Sequence, residues 1–272
     1  MESAVNPTSA KRVRLEVCID SVESALAAER GGADRLELCT NLVEGGTTPS
    51  LGMVRAVLGA TRLPVMVMIR PRGGHFHYNA QERDVMVRDV AALVQEPVAG
   101  IVVGPLTPDG AVDVECCREL LDAAGCVAGG GGTATRRASV TFHRAFDQVA
   151  DPAGALETLV ELGMHRVLTS GQCPTAPEGL ANLSALVRQA RDRIVVMPGC
   201  GVRGANVEQL VRATGACEVH ASAAVLRETP VAFWREAVPM HSTQVPGDQQ
   251  RRVTCPEQVR LIREALDRGR LA

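Results

Sequence analysis

Aromatic residues are scarce in this chain: one Trp, one Tyr and four Phe make up 2% of its 272 residues. Its core must therefore be filled by Val, Leu, Ala, Ile and Met, a composition that suits parallel strands covered by helices. A strong net charge is also missing, because 29 Lys and Arg stand against 31 Asp and Glu. Without a basic surface or interleaved aromatic residues, the sequence predicts no nucleic-acid partner.

Membrane spans, a signal peptide and a disulfide framework are missing too. No apolar run approaches the ~20 residues that cross a bilayer, and residues 1–14 contain no hydrophobic signal segment. The nine cysteines are scattered, and none of them forms a CxxC motif. We therefore predict a soluble, reduced, intracellular protein without a membrane partner, in which most cysteines are buried apolar side chains.

Strand-like and helix-like patterns alternate along the chain. Several helix patterns open with residues that cap helices well, namely Ser21, Ser50, Asp113 and Asp151. The predicted strands are 13–19, 35–39, 64–70, 100–104, 139–146, 166–171, 193–200 and 217–223. The predicted helices are 22–31, 50–60, 81–95, 113–124, 152–163, 177–190, 205–213 and 256–268. Eight β/α units predict a single-domain TIM (β/α)8 barrel, with an open doubly wound sheet as the alternative.

Three segments fall outside this alternation. Residues 1–12 are predicted to form a flexible tail before a barrel domain that spans 13–272. Residues 125–138 are rich in glycine and are predicted to be a dispensable loop insertion. Residues 227–253 form a long polar connection before the final helix, and this length is unusual for a connection inside a barrel.

Two neighbouring predicted strands end in the same sequence motif, Glu-x-Cys. Glu16 and Cys18 lie two residues apart on the first predicted strand, as Glu37 and Cys39 do on the second. Period-2 geometry puts each Glu and Cys on one face, so adjacent strands would bring two thiols together above two carboxylates. Soft thiols at this spacing suit Cu(I) or Zn(II), although a lone cysteine at a strand end is usually a packing residue. A disulfide between them is a further alternative.

Polar residues recur at the carboxyl ends of the predicted strands, where TIM barrels carry their active sites. The candidate catalytic residues of this mouth are Glu16, Glu37, Arg70, His143 and His220. Carboxylates, a guanidinium and imidazoles in one cavity suit acid–base chemistry on a small anionic or phosphorylated molecule. The alternative is structural: each Glu could be an ion-pair partner of Arg70 or Arg144, and each His could be a satisfied core residue.

Two loops add weaker signals. His75 and His77 follow the third predicted strand and could hold a second metal, but two histidines alone are weak evidence. The turn 199–201 precedes a predicted helix, and with Arg70 and His143 it could bind an anion at the helix N-terminus. The alternative reading is a tight turn between strand and helix.

Several strings in this chain resemble the CutC family of copper homeostasis proteins. They are EVCIDSVESALAAERGGADRLELC, EGGTTPSLG, MIRPRGG, VTFHRAFD, RVLTSGQ, MPGCGV and EVHASA, in this order, between about residue 14 and residue 223. The resemblance implies a TIM barrel, a cytoplasmic and in animals also nuclear location, and a role in copper handling. It also implies a homotetramer that binds one Cu(I) per subunit, with Cys18 and Cys39 at the positions of the proposed ligands.

The chain departs from the family pattern in three places: His75 replaces an acidic residue, Cys200 replaces a small residue, and 125–138 is an insertion. None of these changes touches the cysteine pair.

The residues and the resemblance together leave two predicted functions. The first is Cu(I) binding for copper homeostasis, with Met68 as a thioether neighbour of the thiols. The second is an uncharacterised TIM-barrel enzyme, because the resemblance carries no established catalytic activity. A scaffold function has no specific support.

Overall fold

The computed structural model describes residues 12–126, 138–235, 237–238, 240 and 247–268. Strands and helices alternate through these residues. The strands are β1 Arg14–Ile19, β2 Arg35–Leu38, β3 Val65–Met68, β4 Gly100–Val103, β5 Ser139–Phe142, β6 Arg166–Thr169, β7 Val195–Pro198, β8 Glu218–Ala221, β9 Ala224–Glu228 and β10 Gln250–Thr254. The helices are α1 Val22–Gly31, α2 Leu51–Ala60, α3 Ala80–Leu93, α4 Val114–Ala123, α5 Pro152–Glu161, α6 Leu180–Ala190, α7 Val207–Thr214 and α8 Pro256–Arg268. None of the helices in the described part of the chain has the length and apolarity of a membrane span.

Local sequence fixes the helix ends. The Ser21 side chain accepts a hydrogen bond from the backbone N–H of Ser24, which caps the start of α1. At the other end, Gly32 adopts φ 92°, a left-handed conformation that a residue with a side chain rarely takes. Asn79 and Glu82 cap α3 reciprocally, each side chain accepting from the other residue's backbone N–H. These caps confirm that polar residues before apolar periodic stretches mark helix starts.

Eight parallel strands form one nearly closed barrel. Their hydrogen-bonded order is β7-β6-β5-β4-β3-β2-β1-β8, and β7 and β8 at the two ends of this order contact each other. The predicted TIM barrel is therefore confirmed, and the open doubly wound alternative is wrong. Parallel strands of this kind are covered by helices, and the buried residues of each β/α unit are mostly Val, Leu, Ile and Ala.

The strand register divides the polar residues inside the barrel into two levels. Arg35, Arg166 and Glu218 are the first residues of their strands, so they lie at the amino end, which we call the floor. Cys18 and Glu37 are partners in the register of β1 and β2, nearer the carboxyl end, or mouth. Buried polar side chains therefore occur at both ends of the barrel, and only the mouth is the end at which TIM barrels act.

Two elements differ from the sequence prediction. The apolar run 139–146 was expected to be one strand, but β5 ends at Phe142 and a short 3₁₀ helix follows at Arg144–Gln148. The connection 227–253 is not irregular throughout, because its ends belong to the antiparallel strands β9 and β10. The predicted tail at 1–12 and loop at 125–138 lie almost entirely outside the described residues.

Candidate functional site

The two thiols of the repeated Glu-x-Cys motif meet at the barrel mouth. The Sγ atoms of Cys18 and Cys39 lie 3.9 Å apart, and both cysteines are free. Because Cys18 is level with Glu37 in the register, Cys39 lies one pleat higher and the thiols meet diagonally. Both pack in one apolar cluster with the thioethers of Met66 and Met68. The two thiols thus lie in a buried environment that includes two methionine side chains.

The protonation of Cys39 follows from this packing. Its Sγ contacts Cys18 and lies 3.7 Å from a carboxylate oxygen of Glu37. The hydrogen bond with Cys18 raises the pKa of the Cys39 thiol well above its usual value, and burial adds to the effect. Cys39 is therefore a neutral thiol at neutral pH, and a metal that binds it must displace a proton.

Glu37 forms an ion pair with His220 directly beside the thiols. The Glu37 Oε2 and His220 Nε2 atoms lie 3.0 Å apart. Burial opposes charge on both groups, but their mutual attraction and hydrogen bond lower the pKa of Glu37 and raise that of His220. The other carboxylate oxygen of Glu37, Oε1, is buried and has no hydrogen-bond partner.

One carboxylate oxygen of Glu16, Oε2, belongs to an ion network at the floor, while Oε1 lies 4.0 Å from Nε2 of His220. The Oε2 atom accepts a hydrogen bond from Nε of Arg35, whose Nη2 donates to Glu218 over 2.5 Å. Arg166 donates to the same Glu218 oxygen over 2.8 Å. The prediction that Arg70 or Arg144 would pair with the glutamates is therefore wrong. Two arginines and two glutamates, here called the floor cluster, neutralise one another; its members are Glu16, Arg35, Arg166 and Glu218.

Sequence reasoning missed Arg35, although a signal was present. Arg35 lies two residues before Glu37, so period-2 geometry puts both side chains inside the barrel. An inward arginine at the first position of a strand needs a carboxylate partner in the interior. Glu218, at the first position of β8, lies at the same level and supplies that partner.

Arg70 is held by main-chain oxygens instead of carboxylates. Its Nη1 donates to the carbonyls of Glu44 and Gly46 over 2.7 and 2.9 Å, and its Nη2 donates to Gly74 over 2.9 Å. The guanidinium also lies 5.0 Å from the centre of the Phe76 ring. Within the described residues, no carboxylate forms an ion pair with Arg70, so its positive charge is not neutralised locally.

His143 is a buried, neutral hydrogen-bond donor. Its Nδ1 accepts a hydrogen bond from the N–H of Ala145 over 3.1 Å, so in the neutral ring the proton lies on Nε2. Burial, together with the charge of Arg70, lowers the pKa of His143 from 6.5 to about 4. Its Nε2 is buried without a partner. Gly104 makes room for this ring, because a Cβ there would lie 2.1 Å from Cε1 of His143.

Two adjoining cavities open at the mouth. The smaller cavity, of about 300 Å³, is lined by Cys18, Glu37, Arg70, His143 and His220 among others. The larger groove, of about 780 Å³, includes the predicted anion turn at 199–201 and also reaches Cys18 and His220. Arg70 and His143 line the first cavity only, so the three features expected to form one anion site are divided between two spaces.

The remaining candidates have local roles. Main-chain oxygens of His75 and His77 accept hydrogen bonds from Arg72, and neither histidine joins a group of three or more metal-ligand side chains in the described structure. The groups that do lie within 4.8 Å of one another are Cys18–Glu37–Cys39 and Glu16–Glu37–His220. Thr169 and Ser170 both bind Asp147, which also pairs with Arg144.

The model of the CutC family matches residues 13–225 of this chain. The chain belongs to the CutC family. A human relative named copper homeostasis protein cutC homolog is 46% identical over 248 residues, which are 91% of this chain and 87% of the human one. The residues matched by the family model include both cysteines of the mouth and all eight strands of the barrel.

Solved structures agree with the barrel architecture. A crystal structure of a Streptococcus agalactiae protein assigned as copper homeostasis protein CutC has a TM-score of 0.69 and 32% identity, covering 77% of this chain and 98% of that chain. Thiamine phosphate pyrophosphorylase from Pyrococcus furiosus has a TM-score of 0.56 at 15% identity, covering 94% and 96%. At that identity the second likeness concerns the fold alone.

Proposed function

We propose that this protein binds Cu(I) through Cys18 and Cys39 and acts in intracellular copper homeostasis by buffering, storing or passing the ion. The observation that carries the proposal is the approach of two free thiols to 3.9 Å at the barrel mouth. The human relative's name, copper homeostasis protein cutC homolog, supports the same reading. Copper is here the cargo, held by the protein and released again.

The donor set suits a soft ion. Thiolates and thioethers favour Cu(I), and Met66 and Met68 pack in the same cluster as the two thiols. Metal–sulfur bonds of about 2.3 Å, the length of zinc–thiolate bonds, separate two sulfurs by about 4.6 Å in a linear arrangement. The separation of 3.9 Å therefore fits a bent arrangement, and a linear one needs a movement of about 0.7 Å.

An anaerobic Cu(I) titration against a competing chelator tests the proposal. We expect the native protein to bind one equivalent and the double variant Cys18→Ser/Cys39→Ser to lose that binding, because a hard hydroxyl is a poor ligand for Cu(I). Cys116→Ser is the matched control, since Cys116 is also buried but lies on α4, outside the sulfur cluster. Undiminished affinity in the double variant would contradict the proposal.

The location and the assembly of the protein are further parts of this proposal, and they rest on the family resemblance. We propose a cytoplasmic protein, also nuclear in an animal cell, that assembles as a homotetramer. Sedimentation of the purified protein measures the assembly, and imaging of a tagged chain measures the location.

A further inference from the structure

The smaller cavity of the mouth has the size of a small-molecule pocket and several polar residues in its lining. Its volume of about 300 Å³ lies at the lower end of the range for ligand pockets. Three of its lining residues carry buried polar atoms without a hydrogen-bond partner: Nε2 of His143, Oε1 of Glu37 and Nε of Arg70. Each such atom costs free energy unless something pairs with it, and these three atoms belong to residues that line one cavity.

The chemistry of the lining specifies the occupant. His143 offers a neutral N–H, because its Nδ1 already accepts from Ala145. Arg70 offers a positive charge that no carboxylate in the described residues neutralises by an ion pair. A carboxylate group on the occupant would accept from His143 and balance the charge of Arg70.

The carboxylate of Glu37 suits a hydrogen-bond donor as a second group on the occupant. Its Oε2 is engaged by His220, but Oε1 is free to accept a hydrogen bond. An O–H on the occupant would donate to it. A dianionic phosphate fits less well, because Arg70 is the one cation without an ion pair among the described lining residues, whereas Glu37 and Glu44 both add negative charge.

We propose that this cavity binds a small hydroxycarboxylate, whose carboxylate meets His143 and Arg70 and whose hydroxyl meets Glu37. The cavity also touches Cys18, so the ligand would lie next to the thiol pair. The proposal does not rest on copper binding, because none of the atoms that contact the ligand is a sulfur.

Isothermal titration with four probes at millimolar concentration tests the chemistry. Lactate and glycerate carry both groups, propionate lacks the hydroxyl, and 1,2-propanediol lacks the carboxylate. We expect the two hydroxycarboxylates to bind at least tenfold more tightly than either of the others, because each missing partner leaves a buried group unpaired. Failure of both hydroxycarboxylates to bind, or equal binding of propionate, would overturn the proposal.

Three variants locate the site. His143→Phe keeps a ring in the space beside Gly104 but removes the N–H, so lactate affinity should fall by roughly tenfold to a hundredfold. Thr141→Val is the matched control: Thr141 lies two residues earlier on β5, its hydroxyl is also buried and unpartnered, and it does not line the cavity. The control should bind lactate as the native protein does.

The third variant, Cys39→Ser, separates this proposal from copper binding, because Cys39 does not line the cavity. It should lose Cu(I) and keep lactate, whereas His143→Phe should lose lactate and keep Cu(I). Unchanged lactate affinity in His143→Phe would show that lactate binds elsewhere and would overturn the site, even if copper binding behaves as proposed. Circular dichroism of each variant confirms that it is folded before titration.

Discussion

The floor and the mouth of this barrel both bury charged side chains, but they treat them in opposite ways. At the floor, two arginines and two glutamates neutralise one another, and the side chains of Arg35, Glu16 and Glu218 are almost inaccessible. At the mouth, Glu37 and His220 pair with each other, while among the described residues Arg70 has no ion-pair partner and Nε2 of His143 has no hydrogen-bond partner. A cavity adjoins the incomplete cluster of the mouth.

This difference shows what separates a structural ion network from a site. Burial and strongly shifted pKa values occur at both ends, so neither property alone identifies function. Unpartnered buried atoms do not identify it either, because Oε1 of Glu16 in the floor cluster also has no hydrogen-bond partner within the described residues. The distinguishing feature is the cavity beside the unpartnered atoms of the mouth. Glu16 connects the two levels, because its Oε1 lies 4.0 Å from Nε2 of His220.

The largest effect is expected at the floor. Arg35→Met removes the common partner of Glu16 and Glu218 and leaves buried carboxylates without full compensation. We expect the free energy of unfolding in urea to fall by about 3–5 kcal/mol, the range for breaking a buried pair. Arg14→Met is the control, because Arg14 is exposed and lies 3.7 Å from Glu218; it should cost less than about 1 kcal/mol. Equal losses in the two variants would mean that the floor is not a buried network.

The pH dependence of the free energy of unfolding should also differ between the mouth and the floor, and at the mouth it is set by His143. The pKa of His143 is about 4 in the folded protein and 6.5 ordinarily. As the pH falls from 6.5 to 4, the unfolded chain therefore binds a proton that the folded protein excludes, and stability decreases. The decrease is at most about 1.4 kcal/mol per pH unit, or about 3 kcal/mol in all, and it levels off below pH 4.

The floor should respond in a different window. Burial alone would raise the pKa of Glu218, but the hydrogen bonds and charges of Arg35 and Arg166 together outweigh it and lower this pKa below 4.5. The stability from this carboxylate is present above pH 4.5 and is lost only as the pH falls through its lower, folded value. Urea unfolding of His143→Phe and the native protein from pH 7 to 4 separates the windows. The variant should lose less stability between pH 6.5 and 4, and parallel curves would contradict this assignment.

The smallest effect is expected at Thr141 on β5. Thr141 carries a fully buried hydroxyl without a hydrogen-bond partner on β5. Thr141→Val replaces it with an apolar group of similar shape, so stability should stay within about 1 kcal/mol of the native value or increase. Thermal unfolding measures this. A loss of several kcal/mol would show that the hydroxyl has a partner, such as an ordered water.

Much of the architecture could be predicted from the chain alone. Period-2 apolar runs, helix caps such as Ser21 and the order of eight β/α units predicted the barrel, because these signals are local and repeat along the sequence. The same periodicity brought Cys18 and Cys39 to one end of adjacent strands. The strands β9 and β10 were missed, since an antiparallel pair separated by more than twenty residues has no local signature.

The sequence by itself determined which residues point into the barrel, because alternation along a strand follows from backbone geometry. Only the tertiary structure decided which charges meet. Arg35 reaches Glu218 across 183 residues of chain, as His220 reaches Glu37, and Arg70 bonds to loop carbonyls instead of glutamates. Barrel closure and strand register set these partnerships, so buried charged residues form an ion network at the floor and a cluster beside a cavity at the mouth.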